Sequence, residues 1–468
     1  MMLGSAALLG LAACGGGGSG DGAANGTTAA TSATPTPTEP ATLATPGSAH
    51  AHAPAPATEP SAAAAATAAS ATADPGVPPL RTVLPSSDTS TATATATATP
   101  ASVAPAVSTA AAPTAVATTP VASGPVPMLG DCQLFPANAI FNTRIDDVSR
   151  FPAAAQSEHW LDVAGRTLPF GADWGVNTDP AAYASYWGMP INVIDSSATD
   201  WPVLSFDFST SGVSWEQGYP FKSDCAVATG SGYGIVHDCT SVPAAHRQFP
   251  FPRDGQIVNE DGACNDPNRC GDRHVLVVEK GACRLWESFF SYKLSGQWYS
   301  MATAAWDLNS LALRPDNWAS GDAAGLPITP LLVKAAEANA GEIRHALRVN
   351  FRDAALALDH VWPARFAAGA DNPGAIPFGA LLRLRADFVI PGNWTTQARA
   401  IATAAKRYGL YVADNGGDFN VQGEPNASWD PATSQQLRGI TMNDMEFVDL
   451  KAVTGDPRFS RDSMAASW

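Results

Sequence analysis

Aromatic residues are absent from positions 1–127 of this 468-residue chain, and Arg81 is the only basic residue there. All 13 Trp, 8 Tyr and 18 Phe lie further on. A segment of Ala, Thr, Pro, Ser and Gly buries too little apolar surface to offset its ordering entropy. Residues 14–127 therefore read as a disordered, Pro-stiffened linker, including the TATATATAT run at 91–99, whose faces are not apolar enough to form a strand. A flexible coil of roughly 110 residues spans about 60 Å on average. After the first residues no run of 18 apolar positions occurs, which excludes a membrane-spanning helix. G-x-S-x-G, Walker A, HExxH and paired CxxC motifs are also missing, which argues against α/β-hydrolases, P-loop enzymes and common zinc sites. Basic residues are scarce overall. The formal charge of −16 repels nucleic acid and anionic lipid, so no nucleic-acid partner is expected.

Cysteine is sparse but patterned. Beyond Cys14 there are Cys132, Cys225, Cys239, Cys264, Cys270 and Cys283. An even set in an exported domain implies disulfides. Cys264 and Cys270 flank the turn-rich NDPNR, and Cys225 and Cys239 flank ATGSGYG. That leaves Cys132 to close a long loop with Cys283.

The aromatic-rich part, residues 128–453, reads as one globular domain, with 454–468 as a C-terminal tail. Strands are expected at 203–208, 234–236, 274–278, 284–292, 346–351 and 381–390, which are short β-branched or aromatic runs. Two helices are expected. One lies over 320–338, with Ser320 as N-cap and breaks at Pro327 and Pro330. The other lies over 395–408, with Ala398, Ile401, Ala405 and Tyr408 on one stripe and Gly409 at C′. The fold class is mainly β, a jelly-roll-like β-sandwich with a few inserted helices, with α+β as the alternative. A monomeric domain is expected.

Several clusters carry chemistry. His274 follows Asp272 and Arg273 at a strand start and is a candidate acid/base. In RLWESFF, alternation puts Glu287 on one face with Leu285 and Phe289. Desolvation there raises its pKa and makes it a candidate proton donor, unless an Arg pairs with it. In WDLNS, Asp307 and Asn309 alternate beside Trp306, with Trp318 shortly after, a polar-aromatic pattern suited to a ligand rim. The same Asp/Asn pair also suits backbone capping in a turn. His345, Arg348, Trp362 and Arg365 form a further cluster, in which Arg suits a carboxylate partner. The turn DNGGD at 414–418, and Asn259, Glu260 and Asp261 with Asp266, offer oxygen ligands of the kind Ca²⁺ takes, although neither matches the EF-hand loop. No metal site of other kinds and no further cofactor is expected.

The N-terminus, LAAC at 11–14 after a short apolar stretch, resembles the lipobox of bacterial lipoproteins. The resemblance implies a signal peptide at 1–13, lipidation of Cys14 and a domain hung from a membrane in an oxidising part of the bacterial cell envelope. No Lys or Arg precedes it, a departure from the usual signal. The segments CQLFPANAIFNTRI, GDRHVLVVEKGACRLWE, WDLNSLALRPDNWASGDAAGLPITP, GEIRHALR and YGLYVADNGGD resemble a family of exported bacterial proteins of uncharacterised activity. That resemblance covers most of 132–449, implies one domain, and transfers no catalytic residue.

The leading expectation is a tethered carbohydrate-active enzyme, a glycoside hydrolase acting on a polysaccharide. Glu287 and Asp307 would be its carboxylate pair. His274 and His345 would assist, and Trp306, Trp318, Trp362, Arg365 and Asn309 would bind sugar. The rival is a non-catalytic polysaccharide-binding or envelope lipoprotein. A polysaccharide lyase, with Arg348 or Arg365 neutralising a carboxylate beside His345, is a further alternative.

Overall fold

The computed structural model describes residues 126–195, 200–209, 211, 218–251, 264–268 and 270–468. The expected signal peptide, Cys14, the linker up to 125, and Asn259, Glu260 and Asp261 lie outside the described residues. The described part is mainly β with few helices, as its short β-branched runs imply.

Twelve strands build the part that matters for function. They are β1 (Gly171–Asp173), β2 (Ile191–Asp195), β3 (Asp224–Thr229), β4 (Gly232–His237), β5 (Val275–Lys280) and β6 (Arg284–Phe289). Then come β7 (Ala302–Asp307), β8 (Leu347–Phe351), β9 (Leu381–Leu384), β10 (Leu410–Asn415), β11 (Asn420–Gln422) and β12 (Met445–Phe447). A four-stranded sheet runs β7-β6-β5-β2, and a six-stranded sheet runs β12-β9-β10-β8-β11-β1. Pairing is mixed: β5/β2, β8/β10 and β11/β1 are parallel, and the other pairs in both sheets are antiparallel.

Period-two alternation explains how the layers form. Val278, Leu285, Ala304 and Trp306 of the four-stranded sheet share one core with Leu347, Val349, Leu410 and Val412 of the six-stranded sheet. The opposite face of the four-stranded sheet presents Val275, Val277, Trp286 and Ala305 to a second core, with Trp201, Phe249, Phe251 and the β3–β4 hairpin. Trp286 is fully buried there, edge-on to Trp201 and Phe249.

After the short helices α1 (Ser157–Ala164) and α2 (Ala335–Ala340), the 395–408 reading is borne out by α3 (Thr396–Arg407), next to the six-stranded sheet. Thr395 accepts a hydrogen bond from Ala398 N at 3.0 Å, and Gly409 takes φ +78°. The 320–338 helix does not form. Its place is taken by a turn around Ser320, a 3₁₀ turn at Thr329–Leu331 and the short helix Ala335–Ala340. Two prolines in one helical turn leave no run long enough to propagate. The 381–390 strand stops at Leu384, where the chain turns ahead of Pro391.

Residues 454–468 are not a loose tail. Met464 and Ala466 are fully buried. Ile140 N donates to Met464 O at 2.7 Å, and Ala466 N donates to Asn138 O at 2.9 Å. The apolar pair clips the last residues onto the first part of the described fold, a contact no local pattern announces.

Three disulfides join Cys132 to Cys283, Cys225 to Cys239 and Cys264 to Cys270, the pairing expected from spacing. They fit an oxidising compartment. Among the described residues, no helix is long and apolar enough to cross a membrane.

Candidate functional site

The carboxylate pair expected from sequence is not assembled. Glu287 is fully buried on the inner face of β6, opposite Ala304 in the pairing register. Asp307 is exposed and lies three residues further along β7, so alternation points it to the other face. Its carboxylate accepts from Asn309 N at 2.9 Å, closing a local turn. Glu287 instead accepts Ile328 N at 2.8 Å and Thr329 N at 2.7 Å. Burial pushes its pKa up against the pull of these amides and of Arg348. It is a clamp between β6 and the 3₁₀ turn, not a group facing a cleft.

The other expected residues scatter. His274 is buried, with Nε2 on the Gly321 carbonyl and its ring against Phe289. Buried His345 has Nε2 at 2.8 Å from Glu337 and 3.1 Å from Lys334. Burial lowers the Lys334 pKa. Burial also opposes the charge of Glu337, but Lys334 and His345 outweigh it and bring that carboxyl down to about 2. Trp306 and Trp362 are core residues, and the Trp362 indole donates to Ser463 O at 3.0 Å. Trp318 is half-buried beneath the Arg314 guanidinium. Arg365 is buried and holds Arg461 O and Asp462, each at 2.7 Å. Asn309 is exposed and bonds Gln133 at 3.2 Å. Trp306 and Trp362 form no open platform, because the core between the two sheets takes up their rings, and Trp318 is covered by Arg314.

What the fold does assemble is a different centre. Arg348 on β8 is fully buried. Its Nη2 lies 3.0 Å from Asp322 Oδ2 and 3.1 Å from Asp414 Oδ2, while Nη1 meets Gln422 and, at 3.5 Å, Met189 Sδ. A β-bulge makes this possible. Val349 pairs with Val412, but Asn350 pairs with Asp414, so Ala413 is the extra residue. In a regular register Ala413 would pair with Asn350, and alternation would turn Asp414, then opposite Phe351, away from Arg348. The bulge is tied down by Ala324 N donating to Ala413 O at 2.9 Å, and the same amide reaches Asp322 Oδ1 at 2.6 Å.

The turn carrying Asp322 is set by Ser320, whose Oγ accepts Asp322 N at 3.0 Å and donates to Leu326 O at 2.8 Å. Gly321 is required. A β-carbon there would stand 3.3 Å from Ile328 Cδ1 and 3.6 Å from both Glu287 Cβ and His274 Cδ2. Three carboxylates thus crowd one guanidinium. Burial, with Asp414 and Glu287 nearby, overcomes Arg348 and pushes the Asp322 pKa up to about 7. The Asp322 side chain has no solvent exposure, whereas the Asp414 side chain is 13% exposed. Asp414 lies near the carboxyl end of β10, beside its parallel neighbour β8, where half-buried residues 415–418 form the rim.

A second dyad went unnoticed in the sequence. Asp224 is fully buried on β3; its Oδ1 lies 2.8 Å from His237 Nδ1, and its Oδ2 accepts Arg314 Nε at 3.0 Å and Ala305 N at 2.8 Å. Burial opposes the Asp224 charge, but these partners hold the carboxyl below its ordinary value. The hydrogen bond to Asp224 raises the His237 pKa. A D-x₁₂-H spacing across a hairpin is the only sequence trace.

Asp414 is engaged by Arg348, and Asp418 accepts Arg352 Nη1 at 2.7 Å, so both carboxylates face guanidinium. Among the described residues, one group of three potential ligands lies close together, Asp131, Cys132 and Cys283, and two of these are a disulfide. No family model, curated protein or solved structure matches the chain.

Proposed function

We propose that the protein is an exported, envelope-tethered glycoside hydrolase whose carboxylate pair is Asp322 and Asp414, in place of Glu287 and Asp307. One observation carries the reading: two carboxylates from different elements meet on one Arg348 nitrogen, at 3.0 and 3.1 Å. One of them retains its proton near neutral pH. Environments that separate two carboxylates in this way assign an acid and a base. Protonated Asp322 donates to the glycosidic oxygen as the C–O bond breaks. Asp414 attacks the anomeric carbon or takes the proton of an attacking water. Substrate approaches from the Asp414 side, because Asp414 is the more exposed of the two carboxylates. The reading requires the 415–418 rim to admit a sugar as far as Asp322. The tether and its lipid at Cys14 belong to the same proposal.

The test is incubation of the full chain with a polysaccharide panel, reading new reducing ends and absorbance at 235 nm. Hydrolysis gives reducing ends without that absorbance, whereas both together mean elimination. Asp322→Asn and Asp414→Asn should each lower the rate by roughly 10²-fold or more, and Asp307→Asn should not. An Asp414→Asn protein with parental activity overturns the assignment.

A further inference from the structure

A surface groove lies away from the Arg348 centre, between the loop after β9 and helix α4 (Pro431–Leu437). It has a volume of about 730 Å³ and is lined by Phe388, Val389, Trp394, Gln435, Gln436 and Arg438, among others. Its shape is fixed by the surrounding structure. Thr395, the N-cap of α3, donates its N–H to Gln436 Oε1 at 2.7 Å and bonds Thr433 through its hydroxyl at 2.8 Å. Lys406 holds the loop by donating to the Ala386 and Phe388 carbonyls. Trp394 stands 6.5 Å from Phe388 and packs beside Gly439. Val389 forms the lip and, at 83% exposed, is the most exposed large apolar side chain described.

The lining is amphipathic. Trp394 and Phe388 are half-buried, offering ring surface without being sealed in the core. Among the described residues, the side chains of Gln435 and Arg438 have no hydrogen-bond or ion-pair partner. Gln436 spends its oxygen on Thr395 and keeps its amide donors. An apolar partner would leave these polar groups unmatched, and a nucleic acid would meet a chain of net charge −16. A sugar ring supplies both halves, a C–H face for the aromatic ring and hydroxyls for amide and guanidinium donors.

We propose that this groove binds a polysaccharide chain, stacked on Trp394 and hydrogen-bonded by Gln435, Gln436 and Arg438. The proposal rests on the carbohydrate reading above and deepens it by adding a non-catalytic hold on the polymer. The full chain and its variants are run in affinity gels containing each polysaccharide of the panel, and hydrolysis of short soluble oligosaccharides is measured separately. Trp394→Ala and Gln435→Ala/Arg438→Ala should each weaken retention about tenfold or more, with oligosaccharide turnover unchanged. Asp322→Asn should be retained like the parent. The double variant changes only exposed side chains, so it stays informative if Trp394→Ala unfolds. Parental retention of the double variant, or no retention of the parent on any polymer, overturns the groove. Retention through the groove without any turnover leaves it standing and overturns the hydrolase.

Discussion

Replacing Glu287 with Gln separates a structural clamp from a catalytic acid. The carboxylate accepts two backbone amides, at 2.8 and 2.7 Å, in a site with no solvent exposure. Gln is nearly the same shape, but its Oε1 can serve only one of the two amides. Its NH₂ then faces the other N–H, donor against donor. One charge-assisted hydrogen bond is lost, worth about 1.5–3 kcal/mol, and one buried amide is left unpaired, at a cost of about 1–3 kcal/mol. Removing a buried charge gives part of this back. The net expectation is a loss of about 3 kcal/mol. With a melting entropy of roughly 2.1 cal/mol/K per residue over a fold of this size, that is a fall of about 4 °C in Tm. Calorimetry at pH 7 reads the Tm, and the reducing-end assay at 25 °C reads activity on the same sample. A Tm within a degree of the parent, together with lost hydrolysis, would refute the clamp and return Glu287 to the catalytic pair.

Other perturbations test other parts of the argument. Asp322 titrates at about 7 in the folded chain and near 4 unfolded. Its stabilisation is therefore present below about pH 4 and is lost as pH rises through 7. Tm measured from pH 5 to 8 should fall less steeply with rising pH in Asp322→Asn than in the parent; equal slopes would contradict the raised pKa. Replacing Cys132 and Cys283 by Ser opens a loop of 151 residues and should cost up to about 5 kcal/mol, read as a lower guanidinium midpoint. A loss under about 1 kcal/mol would mean that the unfolded chain is already constrained there. Cys14→Ala should move the protein from the membrane fraction to the soluble one; persistence in the membrane fraction would rule out a lipid anchor at that residue.

Local chemistry was legible in the sequence wherever neighbours along the chain decide the outcome. Cysteine spacing gave all three disulfides, and Thr395 and Gly409 bracketed the long helix. Alternation put Glu287 on the face of Leu285, as found. Contacts that depend on the third dimension were not legible. Asp322, Arg348 and Asp414 lie in separate segments, and only the extra residue Ala413 turns Asp414 toward Arg348. A single added residue in a strand leaves no mark on hydrophobic pattern. Trp306 and Trp362 looked like ligand platforms because polar residues adjoin them, but in each the neighbours point elsewhere while the ring goes inward.

The Cys132–Cys283 bridge also decides how the domain bears load. Cys132 sits within the first residues of the described fold, and Cys283 lies in the turn between β5 and β6. Tension drawn through the N-terminal chain therefore passes at residue 132 into a covalent link, and from there into the four-stranded sheet. The short pairing of Met128–Leu129 with Cys132–Gln133 can peel away without the strain travelling further along the backbone. A domain pulled by its N-terminal chain would yield at that two-residue ladder first, and the load would then bear through the disulfide on the turn between β5 and β6.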